Sequence, residues 1–202
     1  MLKAGVQGEG LLHILKWRLL MQMCKHKVDF TAISNGNENI MIKDVTTDLN
    51  AILMLHADVG KALVYIVNSP LLGRETLSAA LGELSEHLVA TFIGGARKAR
   101  GNNGFDLVGP NEEKIEVKSR QLSKWGGSLQ FNFGTHSATA NEAFCIAWDD
   151  TVSPPVIFAA FRAPISWMLE KWGCTGQTSY SIRTKLKALQ REAHSNMLNT
   201  SS

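Results

Sequence analysis

The sequence predicts an α/β domain, and three observations carry the prediction. The chain has 202 residues of which 45% are hydrophobic, enough to bury a sizeable core within one compact unit. Residues 75–93 space their apolar side chains as a helix does. Two short segments on either side of Gly109-Pro110-Asn111 alternate apolar and polar residues, as the strands of a β-hairpin do. So apolar a chain is not expected to be intrinsically disordered. It contains no run of about 18 apolar residues free of charge, the length a membrane span requires. The nearest stretch, 11–23, is interrupted by Lys16 and Arg18, and no small-residue cleavage site follows it, so neither a span nor a signal peptide is expected. Cys24, Cys145 and Cys174 are odd in number and far apart, which fits reduced thiols and a cytoplasmic location.

Taken in order, residues 11–27 predict a helix, and 28–33 with 39–45 predict two strands joined across Asn35-Gly36. The side-chain oxygens of Thr46-Thr47-Asp48 are placed to cap a helix that runs to about residue 57. The β-branched run 62–67 stops at Asn68-Ser69-Pro70, a turn signal. A boundary near Pro70 therefore divides an N-terminal helix-and-hairpin extension, 1–70, from a core, 71–202. The helix over 75–93 follows, closed by Gly94-Gly95. Its stripe is Leu77, Leu81, Leu84, Leu88 and Phe92. Glu86 falls on the opposite side among Gly82, Val89, Ala90 and Ile93, whereas Glu83 and His87 take the polar flank. A carboxylate among apolar and small residues is costly unless something compensates it, so Glu86 is the glutamate of interest.

The hairpin over 104–120 carries the chemistry. Centred on Asn111, it sets Asp106 opposite Glu116, Phe105 opposite Val117 and Leu107 opposite Ile115. Strand side chains alternate, so Phe105, Leu107, Ile115 and Val117 share one face while Asp106, Glu116 and Lys118 share the other. Opposed Cβ atoms lie roughly 5 Å apart, and at an effective dielectric of about 20 two carboxylates there repel by about 3 kcal/mol. Lys118 offsets part of this repulsion, and a shared divalent cation offsets more. Hard oxygen donors with no Cys or His beside them suit Mg²⁺ or Mn²⁺ rather than Zn²⁺. A cation held in this way polarises a phosphoryl oxygen and acidifies a bound water, with Lys118 directed at the same place. The spacing alone equally allows a solvated charged face on which Lys118 merely pairs with Glu116.

Asp106, nine intervening residues and Glu116-Val117-Lys118 resemble the core motif of the PD-(D/E)XK nuclease superfamily, the restriction-endonuclease-like fold. Ser85-Glu86-His87-Leu88-Val89-Ala90 sits where many members place a metal-associated glutamate on the preceding helix. The resemblance covers 82–120 and continues more weakly through strands at 143–148 and 156–161, with Phe105 standing where the motif has proline. It implies a mixed β-sheet flanked by helices, with the acidic cluster at one sheet edge, and Mg²⁺-dependent hydrolysis of a nucleic-acid phosphodiester. Carried over by position, it makes Asp106 and Glu116 metal ligands, Lys118 the catalytic lysine and Glu86 the helix acidic residue. The expected substrate is double-stranded DNA and the expected role type II-like restriction, by a homodimer with one active site per strand. Residues 1–70 then become candidates for dimerisation or DNA contact. Two alternatives stand beside this, a non-catalytic DNA-binding protein of the same fold and a junction-resolving or repair nuclease.

The charge distribution fits a polyanionic partner. Residues 1–30 carry five Lys/Arg against two Asp/Glu, 93–130 seven against four and 162–202 six against two, while 31–92 carry three against seven. A net charge of only +3 thus conceals basic segments. Arg97, Lys98 and Arg100 precede the hairpin and Arg120, Gln121 and Lys124 follow it, as candidate contacts to phosphates and base edges. Residues 182–193 predict a helix with Arg183, Lys185, Lys187 and Arg191 beside Ile182, Leu186 and Leu189, either a phosphate-contacting helix or an ordinary surface one. Trp125, Phe131 and Phe133 read as core aromatics, and 164–172 as core or a dimer contact. No P-loop, dinucleotide fingerprint, nucleophile elbow or H-E-x-x-H motif is present.

Overall fold

The computed structural model describes residues 42–98, 104–125, 129–175 and 180–200. The helix expected over 11–27, the hairpin across Asn35-Gly36 and Arg100 lie outside the described residues. The strands are β1 (Lys43–Asp44), β2 (Ala96–Arg97), β3 (Leu107–Val108), β4 (Lys114–Gln121), β5 (Gln130–Phe133), β6 (Glu142–Asp149), β7 (Val156–Pro164), β8 (Gly173–Thr175) and β9 (Tyr180–Lys185). The helices are α1 (Thr46–Met54), α2 (Ala57–Asn68), α3 (Arg74–Ile93), α4 (Leu122–Trp125), α5 (Ile165–Trp172) and α6 (Leu186–Thr200), with a 3₁₀ turn over Thr135–Thr139. Six strands form one sheet in the order β1-β7-β6-β4-β3-β2, and three form a second in the order β5-β9-β8. In the large sheet β4 and β6 run parallel and the other pairings are antiparallel. The protein is thus a mixed α/β fold whose mostly antiparallel sheet is flanked by helices.

Side-chain alternation on β6 shows how the two faces are covered. Phe144, Ile146 and Trp148 turn towards α1, α2 and α3 and pack with Leu49, Leu63, Leu81, Leu88, Ile115 and Val117. Ala143, Cys145 and Ala147 turn the other way, towards Phe131, Phe133, Met168, Ile182 and Leu189. The small sheet therefore lies over the face of the large one that carries Glu116 and Lys118, because Glu116 pairs with Ala143 and Lys118 with Cys145 in the β4–β6 ladder. The expected strands 143–148 and 156–161 fall within β6 and β7, and Phe131 and Phe133 are core residues. The long helix ends as expected, with Gly94 at φ 67° in the left-handed region. The hairpin has the predicted register, Leu107 opposite Ile115 and Val108 opposite Lys114.

Three expectations are corrected. The division near Pro70 is not found, since Leu49, Ile52 and Leu63 belong to the same core as α3 and the sheet, and the chain divides after Glu38. The β-branched run 62–67 is the interior of α2, where Leu63 is buried and Val59 and Ile66 pack beside it on α3; tertiary packing of a helical face overrides strand propensity. The helix expected over 182–193 begins only at Leu186. Tyr180–Lys185 is a strand, with Ile182 and Thr184 buried and Ser181, Arg183 and Lys185 exposed, because its backbone groups are taken up by β5 and β8 on either side. No single helix among the described residues is long and apolar enough to cross a membrane, and α1 and α2 meet at a 94° bend.

Candidate active site

β3 is only two residues long, and this shortness positions Asp106. Its backbone N–H donates to Ile115 O at 2.9 Å and its carbonyl accepts from Lys98 N at 2.9 Å. At the next rung a side chain takes over from the ladder: Asp106 Oδ2 accepts the Val117 backbone N–H at 2.7 Å. The hairpin thereby fixes this carboxylate against the strand that carries Glu116. Glu116 is 6% exposed, enclosed between the two sheets. Both donors it meets fall on one oxygen. Ser137 Oγ, buried on the 3₁₀ turn, donates to Oε1 at 3.0 Å, and the Lys118 ammonium forms an ion pair with the same atom. The Lys118 Nζ lies 6.0 Å from the centroid of the Phe133 ring.

The electrostatics follow from this geometry. Burial pushes the Asp106 carboxyl above its ordinary value of 3.8, the Val117 N–H pulls it down, the Glu116 charge pushes it up, and Lys118 and Arg97 pull it down. The two carboxylates therefore feel each other's charge. The hairpin face is not a solvated one, although the Lys118–Glu116 pairing that the solvated alternative supposed is present. Asp106 Oδ1 and Glu116 Oε2 have no hydrogen-bond partner among the described residues. These two oxygens are the atoms of the carboxylate pair left without a donor. The pair sits on and beside β4, two strands in from the sheet edge at β2, rather than at the edge itself.

Glu86 does not join them. Its Oε2 accepts from Arg97 Nε at 2.9 Å and Nη2 at 2.7 Å, and Arg97 Nη1 also reaches Glu83 Oε1 at 3.4 Å and His87 Nε2 at 2.5 Å. The compensation that a carboxylate at this position requires is thus supplied by an arginine from β2. Among the described residues no three His, Cys, Asp or Glu side chains converge on a metal-sized site, and Glu86, expected as the third ligand, stands here as the ion-pair partner of Arg97. The same contact places Arg97, expected on DNA, as a counter-charge between Glu86 and Asp106. Gln121, expected at a base edge, is 4% exposed with its Nε2 bonded to Asp150 Oδ2 at 3.1 Å. Lys98 lies 3.8 Å over the Phe105 ring, Arg120 Nη1 donates to Ser119 O at 2.7 Å, and Lys124 stands 3.9 Å from Glu75.

Ser137 is a site residue that no sequence signal marked, since only the packing of the 3₁₀ turn against β4 brings it to Glu116. Gly104 contributes to that packing. Its φ of 117° is in the region favouring glycine, and its carbonyl accepts from Thr139 Oγ1 at 3.1 Å, tying the start of the hairpin to the turn. Comparison with protein-family models and with curated proteins found no match to this chain.

Proposed function

We propose that the protein is a Mg²⁺-dependent endonuclease of restriction-endonuclease-like fold that hydrolyses DNA phosphodiester bonds. The observation that carries this reading is the juxtaposition of Asp106 and Glu116 on one side of the β3–β4 hairpin, each with one oxygen that has no partner among the described residues and with the Lys118 ammonium beside Glu116. The donor set fits Mg²⁺, which typically binds through one or two carboxylates and completes its shell with waters and substrate phosphate. When bound, the ion would supply charge neutralisation at a phosphoryl oxygen and a water of lowered pKa.

The chain's own residues do the rest. The Val117 N–H and Ser137 hydroxyl hold the two carboxylates in fixed orientations before any ligand arrives, which is the preorganisation that charge stabilisation requires. Lys118 supplies a positive charge for the phosphate as negative charge builds on it, or an N–H to orient the attacking water. The Arg97–Glu86 pair braces β2 against α3 and sets a cation beside Asp106. A polyanionic substrate is supported by the chain between Glu170 and Glu192, which carries Lys171, Arg183, Lys185, Lys187 and Arg191 and no carboxylate. Arg183 and Lys185 are exposed on the outer face of β9 beside Asn132 and Gln130, and neither forms an ion pair among the described residues. Restriction of foreign DNA, a homodimer cutting both strands and a cytoplasmic location extend this reading through the PD-(D/E)XK resemblance.

The test is cleavage of supercoiled plasmid with Mg²⁺ and with EDTA. The wild type should cut only with Mg²⁺, and the double substitution Asp106→Ala, Glu116→Ala should still bind DNA while cutting none. Cutting by the double variant, or no Mg²⁺-dependent cutting by the wild type, would refute the assignment.

A further inference from the structure

The two stretches of chain that build the small sheet are free of carboxylates. Residues 117–141 and 171–191 supply β5, β8 and β9 and carry eight Lys/Arg and no Asp/Glu, against thirteen and eighteen in the rest of the chain. Alternation sorts the side chains of that sheet between its two faces. Phe131, Phe133 and Ile182 turn inward to the core, so Asn132, Ser181, Arg183 and Lys185 turn outward, where they are exposed. The register sets Arg183 opposite Asn132, Lys185 opposite Gln130 and Ser181 opposite Cys174. Opposed side chains are the ones within reach of each other across a sheet, and neither cation faces a carboxylate there. Gln130 Nε2 donates to Asn132 Oδ1 at 2.9 Å, which occupies that acceptor and leaves the Asn132 amide N–H groups as further donors beside Arg183. Lys185 and Lys187 also bracket the start of α6, an end where the helix dipole disfavours cations, and its first turn holds no acidic residue to offset them. This face thus concentrates positive charge and hydrogen-bond donors that no carboxylate among the described residues answers.

We propose that the outer face of the small sheet is a nucleic-acid-binding surface, on which Arg183, Lys185 and Asn132 hold backbone phosphates of duplex DNA. Charge complementarity identifies the partner as a polyanion. Among the described residues this face carries no aromatic ring on which an unpaired base could stack, which favours a duplex over a single strand. It also lacks the apolar centre of a protein–protein interface. Phosphate contacts carry no sequence information, so binding here is independent of sequence. The inner face of the small sheet covers the side of the large sheet that bears Glu116, so the outer face points away from the Asp106–Glu116 pair. The surface therefore goes beyond the nuclease reading and does not depend on it.

The test is fluorescence anisotropy of the full chain with a short fluorescein-labelled duplex of arbitrary sequence, in EDTA and across about 50–200 mM KCl. Each phosphate contact contributes about 0.9 to the slope of log Kobs against log salt, so the double substitution Arg183→Gln, Lys185→Gln should reduce the slope by about 1.8 and weaken binding about 10–100-fold near 0.1 M salt. Arg183→Lys combined with Lys185→Arg keeps both charges and should retain the slope. Tm should not fall in either variant, since neither side chain forms an ion pair among the described residues. A slope and affinity that the glutamine pair leaves unchanged overturn the proposal, as does a wild type that does not bind the duplex. Loss of binding in both double variants, with a matching drop in Tm, shows a packing role and overturns it too. Tighter binding of a single strand of the same length, or equal competition by polyglutamate, overturns the assignment to duplex DNA. A reduced slope in the glutamine pair, from a wild type that never cuts with Mg²⁺, supports this surface while refuting the nuclease reading. Cutting by a wild type whose slope the glutamine pair leaves unchanged does the reverse.

Discussion

Replacing Lys118 with methionine isolates the electrostatic strain on which the active-site assignment depends. Methionine keeps most of the stem's packing and deletes the ammonium. Glu116, with a side chain 8% exposed, would then face Asp106 with only Ser137 and solvent to stabilise its charge. Breaking a fully buried ion pair by removing one partner costs about 3–5 kcal/mol. The Lys118 side chain is 27% exposed and the Ser137 hydrogen bond survives, so solvent screening lowers the expected loss to about 2 kcal/mol. For a chain of this size about 2–4 °C of Tm accompanies each kcal/mol, so Lys118→Met should melt about 4–8 °C below the wild type in EDTA. Adding Glu116→Gln to that variant removes the uncompensated charge and should restore most of the loss. Mg²⁺ at about 100 times its Kd should contribute about 2.7 kcal/mol to any variant that retains both carboxylates. Thermal denaturation followed by circular dichroism, with EDTA and with Mg²⁺, measures all of these. If Lys118→Met melts with the wild type in EDTA, and Glu116→Gln adds nothing to it, the two carboxylates are not pressed together and the argument for a metal fails.

Three further predictions follow from the same geometry. Because burial and Glu116 raise the Asp106 carboxyl, its protonated form is favoured in the folded state; the stability it contributes is fully present below its ordinary pKa of 3.8 and is lost as pH rises through the raised value. Asp106→Asn should abolish that dependence, so its Tm advantage over the wild type in EDTA should grow as pH rises through the window, and a constant difference would contradict it. Glu86→Gln should lower stability by about 1 kcal/mol because it weakens two short bonds to Arg97, Glu83→Gln should stay within about 0.5 kcal/mol, and neither should shift the Mg²⁺ requirement of cleavage by as much as tenfold. Parallel melts and Mg²⁺ titrations decide this, and a large rise in the Mg²⁺ requirement for Glu86→Gln would return that residue to the metal site. Gly104→Ala would force a side chain into a conformation with φ of 117° and a Cβ to 2.5 Å from Thr139 Oγ1, at a cost of about 1–3 kcal/mol. It should lower both Tm and cleavage, and a neutral result would show that the hairpin start is not tied to the turn bearing Ser137.

What the sequence determined by itself is local and periodic. The alternation on either side of Gly109-Pro110-Asn111 set the register that brings Asp106 level with Glu116, because slipping by one residue would turn Leu107 and Ile115 away from the helices they pack against. The stripe from Leu77 to Phe92 with its closing glycines set α3 for the same kind of reason. Where two periods fit equally well, sequence could not choose. Ile182, Leu186 and Leu189 lie on a helical stripe, yet Ile182 and Thr184 also alternate as a strand does, and the presence of β5 and β8 as hydrogen-bonding neighbours decided for β9 up to Lys185. The partners of the charged groups were likewise settled only by packing. Arg97 stands eleven residues from Glu86 and on a different element, and Ser137 reaches Glu116 only because the 3₁₀ turn before β6 folds over β4. Alternation fixes which way a side chain points, but which group it meets there depends on elements distant in the chain, and burial between them converts a charged pair on a hairpin into an enclosed, strained site.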